Sequence, residues 1–537
     1  MRVYLKIITL LFASCLIAEI NKNQIISHVN FLASDFLAGR LTGSFGSEIA
    51  AKYLASELHK YGVKPLGNEG TFYQYIPMHS TKLLPETKLT IYSENNFREY
   101  SLNDDYLVYK ISHQIFLSRR TEMVFAGFGI VAPEFDYNDY LNIDVRGKVI
   151  VVLDGEPHSS SPDFFAGERP TTYSSFETKQ IIALSRGAAA LIIVSTKSIS
   201  NQNHWDKMKL NYQFDDFSLA YNLNKNLCIV LNPIASDFIF AQSGYSLNQI
   251  LELANNNKLS SFPLNTFFEF KPQVERHDFL AVNVVGLIQG SDEKLRDSYV
   301  LVSAHYDHLG IGIPFGNDSI YNGLTDNALG CAATLEIART IMGANRKPKR
   351  SIIFLFTTAE EQGLLGSAYY CDYPARPLYK TILNINIDGI AFLDKFKSVV
   401  AIGAEFLDSL NVLDSILKTN NLYLSELPSF ALDNSFVYSD NYSFARNGVP
   451  ALLVMDGLDL ENYTSEEASE KYYHYAHHIY HTPNDDFKFS VNYDAALQHA
   501  NLLFDIVFAF ANSSNQPKWK ESLPFYDAWL RINAQKK

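Results

Sequence analysis

Residues 299–310 read YVLVSAHYDHLG. An apolar run of strand length ends abruptly in His305, Tyr306 and Asp307. Four other runs have the same character: AVNVVGLI (281–288), IIFLFTT (352–358), ILNINID (382–388) and PALLVM (450–455). Strands that are apolar on both faces belong in a sheet covered on both sides. The text between them has helical period, as in CAATLEIARTIM, FLDSLNVLDSILKTN and DAALQHANLLFDIVFAF. This alternation predicts an α/β fold of three layers, α/β/α, over about 271–515.

The chain has 537 residues, enough for two to four domains. Hydrophobic residues make up 47% and charged residues 19%, which excludes a disordered or collagenous protein. A net charge of −13 argues against nucleic acid as a partner. Four cysteines are too few for a disulfide scaffold, and Cys228, Cys331 and Cys371 read as buried free thiols in apolar surroundings.

Residues 1–20, MRVYLKIITLLFASCLIAEI, combine a basic start at Arg2 and Lys6 with an apolar run from Ile7 to Ala18. The run is short for a membrane span and suits a signal peptide, so the protein is expected to be exported: periplasmic, cell-surface or secreted. Cys15 stands where a lipoprotein signal places its acylated cysteine, although Phe-Ala-Ser before it matches that signal poorly. An ordinary apolar-region cysteine is the preferred reading, and a lipid anchor the alternative. No later apolar stretch is long enough to span a membrane, so the mature chain is expected to have no transmembrane segment.

Residues 21–115 read as an amino-terminal part of the main unit. There GSEIAAKYLASELHKYG places Ala50, Leu54, Leu58 and Tyr61 on one helical face, with Gly62 as its stop. Residues 116–270 read as a separate β/α unit. They contain the strand-like runs VIVVL, LIIV and LCIVL and the helical FETKQIIALS, and 196–227 reads as an excursion loop. Residues 516–537 read as a tail.

Polar residues cluster where the apolar strands stop, the end at which open α/β sheets hold their sites. His305 and Asp307 follow one strand, and Asp326 opens a helix. Glu360 and Glu361 follow another strand, Asp388 a third, and His481 heads the loop HTPNDD. A lone histidine or glutamate pair at a strand end is usually structural; the force lies in the set. So many carboxylates on one edge repel unless cations compensate them. Two Zn²⁺ bring four positive charges against three from Asp326, Glu361 and Asp388, which leaves one for a bridging hydroxide. Imidazole and carboxylate without thiolate suit hydrolytic zinc.

Six blocks of this unit resemble the M28 family of zinc metallopeptidases, mostly aminopeptidases. They are AHYDHLG, GLTDNALG, TAEEQGLLGSAYY, NINIDG, SDNYSFARNGVPAL and YHTPNDD, in that order. HVNFLASDFLAGRLTGSFGSEIAAKYLASEL resembles the amino-terminal stretch of the same family. FAGFGIVAPEFDYNDY, DVRGKVIVVLDGEP and TKQIIALSRGAAALIIVS resemble an inserted protease-associated (PA) domain. The resemblance implies a mainly parallel, mixed central sheet and two Zn²⁺ per chain. It implies that Asp326 bridges the metals, that His305 and Asp388 complete one site, and that Glu361 and His481 complete the other. Glu360 is then the general base, and Asp307 holds the His305 imidazole in its metal-binding tautomer.

The match has departures. Thr325 replaces a frequent Asp, Asn441 a frequent His, and NIDG a commoner DMVG. An acidic, Tyr-rich insertion at 456–480 carries His474, His477 and His478, but only His481 heads the HTPND text. His308 reads as structural. Tyr438 and Tyr442 are candidates for an oxyanion donor, with surface aromatics as the plainer reading. The expected function is exopeptidase action on peptides, most readily the release of amino-terminal residues. The rivals are a carboxypeptidase or dipeptidase, for which Arg446 is the one obvious carboxylate binder in the last block, and an inactive receptor-like binding protein. The latter would have lost ligands that this chain keeps. Oligomeric state is not legible in the sequence.

Overall fold

The computed structural model describes residues 19–536, apart from 112–116, 162, 168–169, 201, 222–226, 409, 427–435 and 522. The signal-peptide reading and Cys15 therefore lie almost wholly outside the described residues. The main sheet is built from β1 (Tyr73–Leu83), β2 (Asp216–Leu219), β3 (Val274–Ile288), β4 (Tyr299–His305) and β5 (Ser351–Thr357). It continues with β6 (Thr381–Asn386), β7 (Ser398–Ile402), β8 (Tyr423–Leu424) and β9 (Ala451–Asp456). Their spatial order is β2-β1-β3-β5-β4-β6-β9-β7-β8, with a short tenth strand, Lys64–Pro65, on β3. The centre, β5-β4-β6-β9, is parallel, and both flanks carry antiparallel pairs. All residues of β4, β5 and β6 are buried, as strands apolar on both faces must be.

Helices cover both faces. Those of this unit used below are α1 (Lys22–Leu32), α2 (Phe45–Lys60), α3 (Leu329–Gly343), α4 (Leu365–Asp372), α5 (Asn441–Arg446), α6 (Ser465–His478), α7 (Tyr493–Asn512) and α8 (Pro524–Asn533). α1, α2, α3 and α7 pack together on one face, and α4, α5 and α8 on the other. Together these elements make the three-layer α/β/α architecture expected from the sequence. In α2 the hydroxyl of Ser44 accepts from the Ser47 N–H, Ala50, Leu54 and Leu58 face inward, and Gly62 takes φ 84° just beyond the end.

A second sheet of eight strands stands apart. Its order is Phe97–Tyr100, Lys88–Tyr92, Phe262–Lys271, Leu117–Phe125, Val149–Leu153, Ala190–Val194, Leu227–Leu231 and Tyr106–Lys110. Three of these strands precede residue 116, so the boundary read from the sequence is displaced. The strands at 88–110 are short and half polar; Lys88–Tyr92 and Tyr106–Lys110 are drawn in by partners far along the chain, and Phe97–Tyr100 follows by pairing with Lys88–Tyr92. The two ends of this insertion meet in the main sheet: Leu83 pairs with Val274, and the Leu84 N–H donates to the Gln273 carbonyl at 2.8 Å.

Two other expectations change. The 196–227 segment is not only a loop: it holds the helix Gln202–Asn211 and the strand β2, which pairs with β1 of the main unit. Residues 516–537 are not a loose tail. Trp519 is fully buried and its Nε1 donates to the Gly448 carbonyl at 3.2 Å, while α8 packs on α5. Both segments lack a clean period, and their burial comes from elements distant in sequence. Cys228, Cys331 and Cys371 are buried and free, as expected. No described helix is long and apolar enough to cross a membrane.

Candidate metal centre

The parallel strands stop in a row, and their polar successors meet. His305 ends β4, and its Nε2 lies 3.1 Å from Asp326 Oδ1 and 3.2 Å from Asp388 Oδ1. His481 Nε2 lies 3.1 Å from the other Asp326 oxygen, Oδ2, and 3.1 Å from Glu361 Oε2. Asp326 thus presents one oxygen to each half of a two-part cluster, each half holding one imidazole and one further carboxylate. Ligand atoms of His305, Glu360 and Glu361 also lie within 4.8 Å of one another. The structure brings together every residue singled out at the strand ends.

The side chains are positioned by a dense surround. Asp485 accepts from the Thr325 N–H at 3.0 Å, the Thr325 hydroxyl at 2.8 Å and the Asp326 N–H at 3.1 Å, fixing the loop that carries Asp326. The Ser439 hydroxyl donates to Asp388 Oδ2 at 2.5 Å. His308, read from sequence as structural, places Nδ1 2.6 Å from Glu361 Oε1, leaving Oε2 toward His481. His481 itself adopts φ 56°, the left-handed region that a non-glycine residue takes only under tertiary constraint.

Asp307 holds its place differently from the tautomer role read from sequence. The nearest partner of His305 Nδ1 is the backbone carbonyl of Asp307 at 3.2 Å, and the Asp307 carboxylate is farther, at 3.8 Å. That carboxylate accepts instead from the Thr42 hydroxyl and from the Glu360 N–H, both at 3.3 Å. It links the His305 strand end to the turn bearing Glu360. The immediate return of the chain after His305 brings the carbonyl closer to the ring than the side chain.

Arg40 was given no role in the sequence reading, although it sits in the quoted FLAGR text. It is 1% exposed. Its guanidinium donates to four backbone carbonyls: Tyr306 at 2.7 Å, Leu32 at 2.5 Å, Asn322 at 2.6 Å and Gly323 at 3.0 Å. It therefore ties α1 to the loop after His305 and to the loop before Asp326. A buried arginine facing carbonyls has no sequence signature.

The remaining candidates fall elsewhere. Tyr438 is exposed. Tyr442 packs against Phe436 and Phe525, and the exposed Arg446 lies over its ring at 5.2 Å. His474, His477 and His478 lie along α6, one after the other toward the His481 loop, and His481 alone of the four meets Asp326.

The electrostatics of the cluster call for cations. Burial pushes the Glu360 carboxyl well above the usual carboxylate range, and Asp388 and Glu361 add to the push. Burial alone would lower His481, but the Glu361 and Asp326 carboxylates overcome it and hold the imidazole up at about 10. Asp326 Oδ2 and His481 Nε2 are buried and, despite their proximity, neither is aligned for a hydrogen bond. Two orphaned donor atoms facing each other across a carboxylate-rich pocket suit a shared divalent cation. Imidazoles and carboxylates are the donors zinc takes in hydrolytic centres. The residues present fit two such ions, at His305–Asp326–Asp388 and at His481–Asp326–Glu361.

Fold and site together define a class: an α/β protein with a paired imidazole–carboxylate centre at the carboxyl ends of its parallel strands. Residues 283–507 match the model of peptidase family M28. A vacuolar membrane protease of Schizosaccharomyces japonicus is 26% identical over 322 residues, covering 56% of this chain and 32% of that protein. A probable zinc metalloprotease of Pyrenophora teres f. teres is 36% identical over 105 residues, covering 19% of this chain and 22% of that protein. The chain thus spans less than a third of the length of these curated relatives. The aminopeptidase from Aneurinibacillus sp. strain AM-1 superposes with a TM-score of 0.54 at 17% identity, over 95% of this chain and 97% of that one. That likeness shows a shared fold.

Proposed function

We propose that the protein is a zinc-dependent exopeptidase that releases amino-terminal residues from peptides. The observation that carries this reading is Asp326, whose two oxygens each face a different imidazole at 3.1 Å. His305, Asp326 and Asp388 would hold one zinc, and Asp326, Glu361 and His481 the other. Bound there, zinc supplies Lewis-acid polarisation of the scissile carbonyl and lowers the pKa of the attacking water. Glu360 takes the proton of that water and returns it to the leaving amine. Glu361 cannot share this duty, because both its oxygens are engaged, one by His308 and one facing His481.

Preference for an amino terminus rests on what pairs with the carboxylates. Among the described residues, every ion pair that reaches Asp326, Glu361 or Asp388 comes from a histidine. None of these carboxylates is paired with a guanidinium or ammonium that could also receive a terminal carboxylate, so the site offers more to a terminal amine. Arg446 leans on Tyr442 at the surface. Peptides blocked at either end provide the test. Cleavage is expected to survive carboxyl-terminal amidation and to stop on amino-terminal acetylation, and a chelator is expected to abolish it until zinc is restored. Cleavage of acetylated peptides at an undiminished rate would refute the reading. Export rests on residues 1–20, and amino-terminal sequencing of the native protein checks it: an intact Met1 would count against it.

The second unit, read as PA-like, serves in this proposal as a lid that limits which peptides reach the centre. It contributes none of the clustered ligands and is clamped to the main unit. Phe214 packs edge-on against Tyr321 at 5.4 Å, and the Tyr221 hydroxyl donates to Asp372 at 2.5 Å. Because Leu83 and Val274 are paired neighbours, residues 85–272 can be replaced by a two-residue hairpin turn, a deletion that also removes the edge strand β2 from β1. The shortened protein is expected to accept longer peptides than the full chain. An unchanged length preference in a soluble, folded deletion would remove the lid from the account.

A further inference from the structure

We propose a third, exchangeable metal site on the outer face of α6, formed by His474 and His478. The two residues are one helical turn apart, both are exposed, and their ring centroids stand 4.7 Å apart at 36°. Residues at i and i+4 face the same way, which makes a histidine pair at this spacing a ready two-toothed chelate. Neither imidazole donates to or accepts from another protein group among the described residues. The neighbouring His477 differs: its Nδ1 is 2.9 Å from the Tyr473 carbonyl and its ring stacks on Tyr473 at 3.8 Å.

The helix beneath the pair is already fixed, so binding costs little ordering. A capping box of Thr464 and Glu467 starts it. Tyr472 donates to Asp456, and the Tyr475 hydroxyl lies 2.7 Å from the Thr325 hydroxyl, one residue from Asp326. Two imidazoles with open positions for water select borderline ions such as Zn²⁺, Ni²⁺ and Cu²⁺ over Ca²⁺ or Mg²⁺. A metal there would clamp the last turn of α6, three residues ahead of His481. The same turn is joined to the His481 loop by the Asn484 amide, which donates to the His478 carbonyl at 3.1 Å. The site is thus placed to stiffen the segment that delivers one ligand of the proposed zinc centre, and in that coupling it rests on the function proposed above.

The test is zinc stoichiometry by equilibrium dialysis and elemental analysis on the full-length protein, comparing wild type with His474→Ala, His478→Ala and His477→Ala. All three side chains are on the helix exterior, and circular dichroism verifies the fold of each variant. Wild type and His477→Ala are expected to hold one zinc more than His474→Ala and His478→Ala. The readout is this difference, not the total, so it stands whether the main centre holds one ion or two. Equal stoichiometry in all four proteins, or loss of the extra ion from His477→Ala as well, would overturn the site.

Discussion

Glu360→Gln is expected to keep its full zinc content and lose about 10²–10⁴ in turnover, the usual loss when a general base is removed. Each tenfold is about 1.4 kcal/mol, so this is roughly 3–5 kcal/mol of barrier. The amide retains the volume of the carboxyl and the backbone N–H that donates to Asp307. Glu361→Gln is expected to behave in the opposite order. There a neutral amide replaces the carboxylate between His308, at 2.6 Å, and His481, at 3.1 Å, and zinc is lost along with activity. Metal content and rate measured on both variants therefore dissociate. Equal zinc loss in the two, or near-normal turnover in Glu360→Gln, would reassign which glutamate meets the water.

Arg40→Met is expected to be among the most destabilising single changes in the main unit. Methionine fills much of the same space but donates to none of the four carbonyls. Hydrogen bonds from a charged donor contribute about 1.5–3 kcal/mol each. With several lost together and buried acceptors stranded, a loss of at least about 3 kcal/mol follows. The backbone leaves little room for relief. Residues 38–40 run at φ 47°, 69° and 50°, and a Cβ at Gly39 would lie 2.4 Å from the Gly310 carbonyl oxygen. Because Arg40 also holds the loop before Asp326, zinc affinity is expected to fall with stability. Urea unfolding and zinc titration of the variant measure both. An unchanged midpoint would mean that the four contacts contribute nothing net.

The division of labour between sequence and tertiary structure follows from range. Periodicity is local, and so the elements of the main unit are legible in the text. β4 is observed at Tyr299–His305, as read, and β5, β6 and β9 fall within a residue or two of the apolar runs that announce them. The candidate ligand positions are legible for a related reason. A buried strand must be apolar, so a charged residue where it stops stands out; Glu361 and Asp388 share that signature with His305, whereas Asp326 is read at the opening of a helix.

What the chain text could not fix is pairing and satisfaction across long separations. The strands at 88–110 pair with a sheet whose other members come after residue 116, while β2, deep in the second unit's sequence, pairs with β1. Trp519 is an unremarkable residue of a polar terminus until it reaches the Gly448 carbonyl. His308, Asp485 and Arg40 act on groups that are 53, 160 and 266 residues away. Sequence determined which residues would be left polar at the strand ends. Only the tertiary structure decided which neighbours satisfy them, because a hydrogen bond depends on where two chain segments meet and leaves no period in either one.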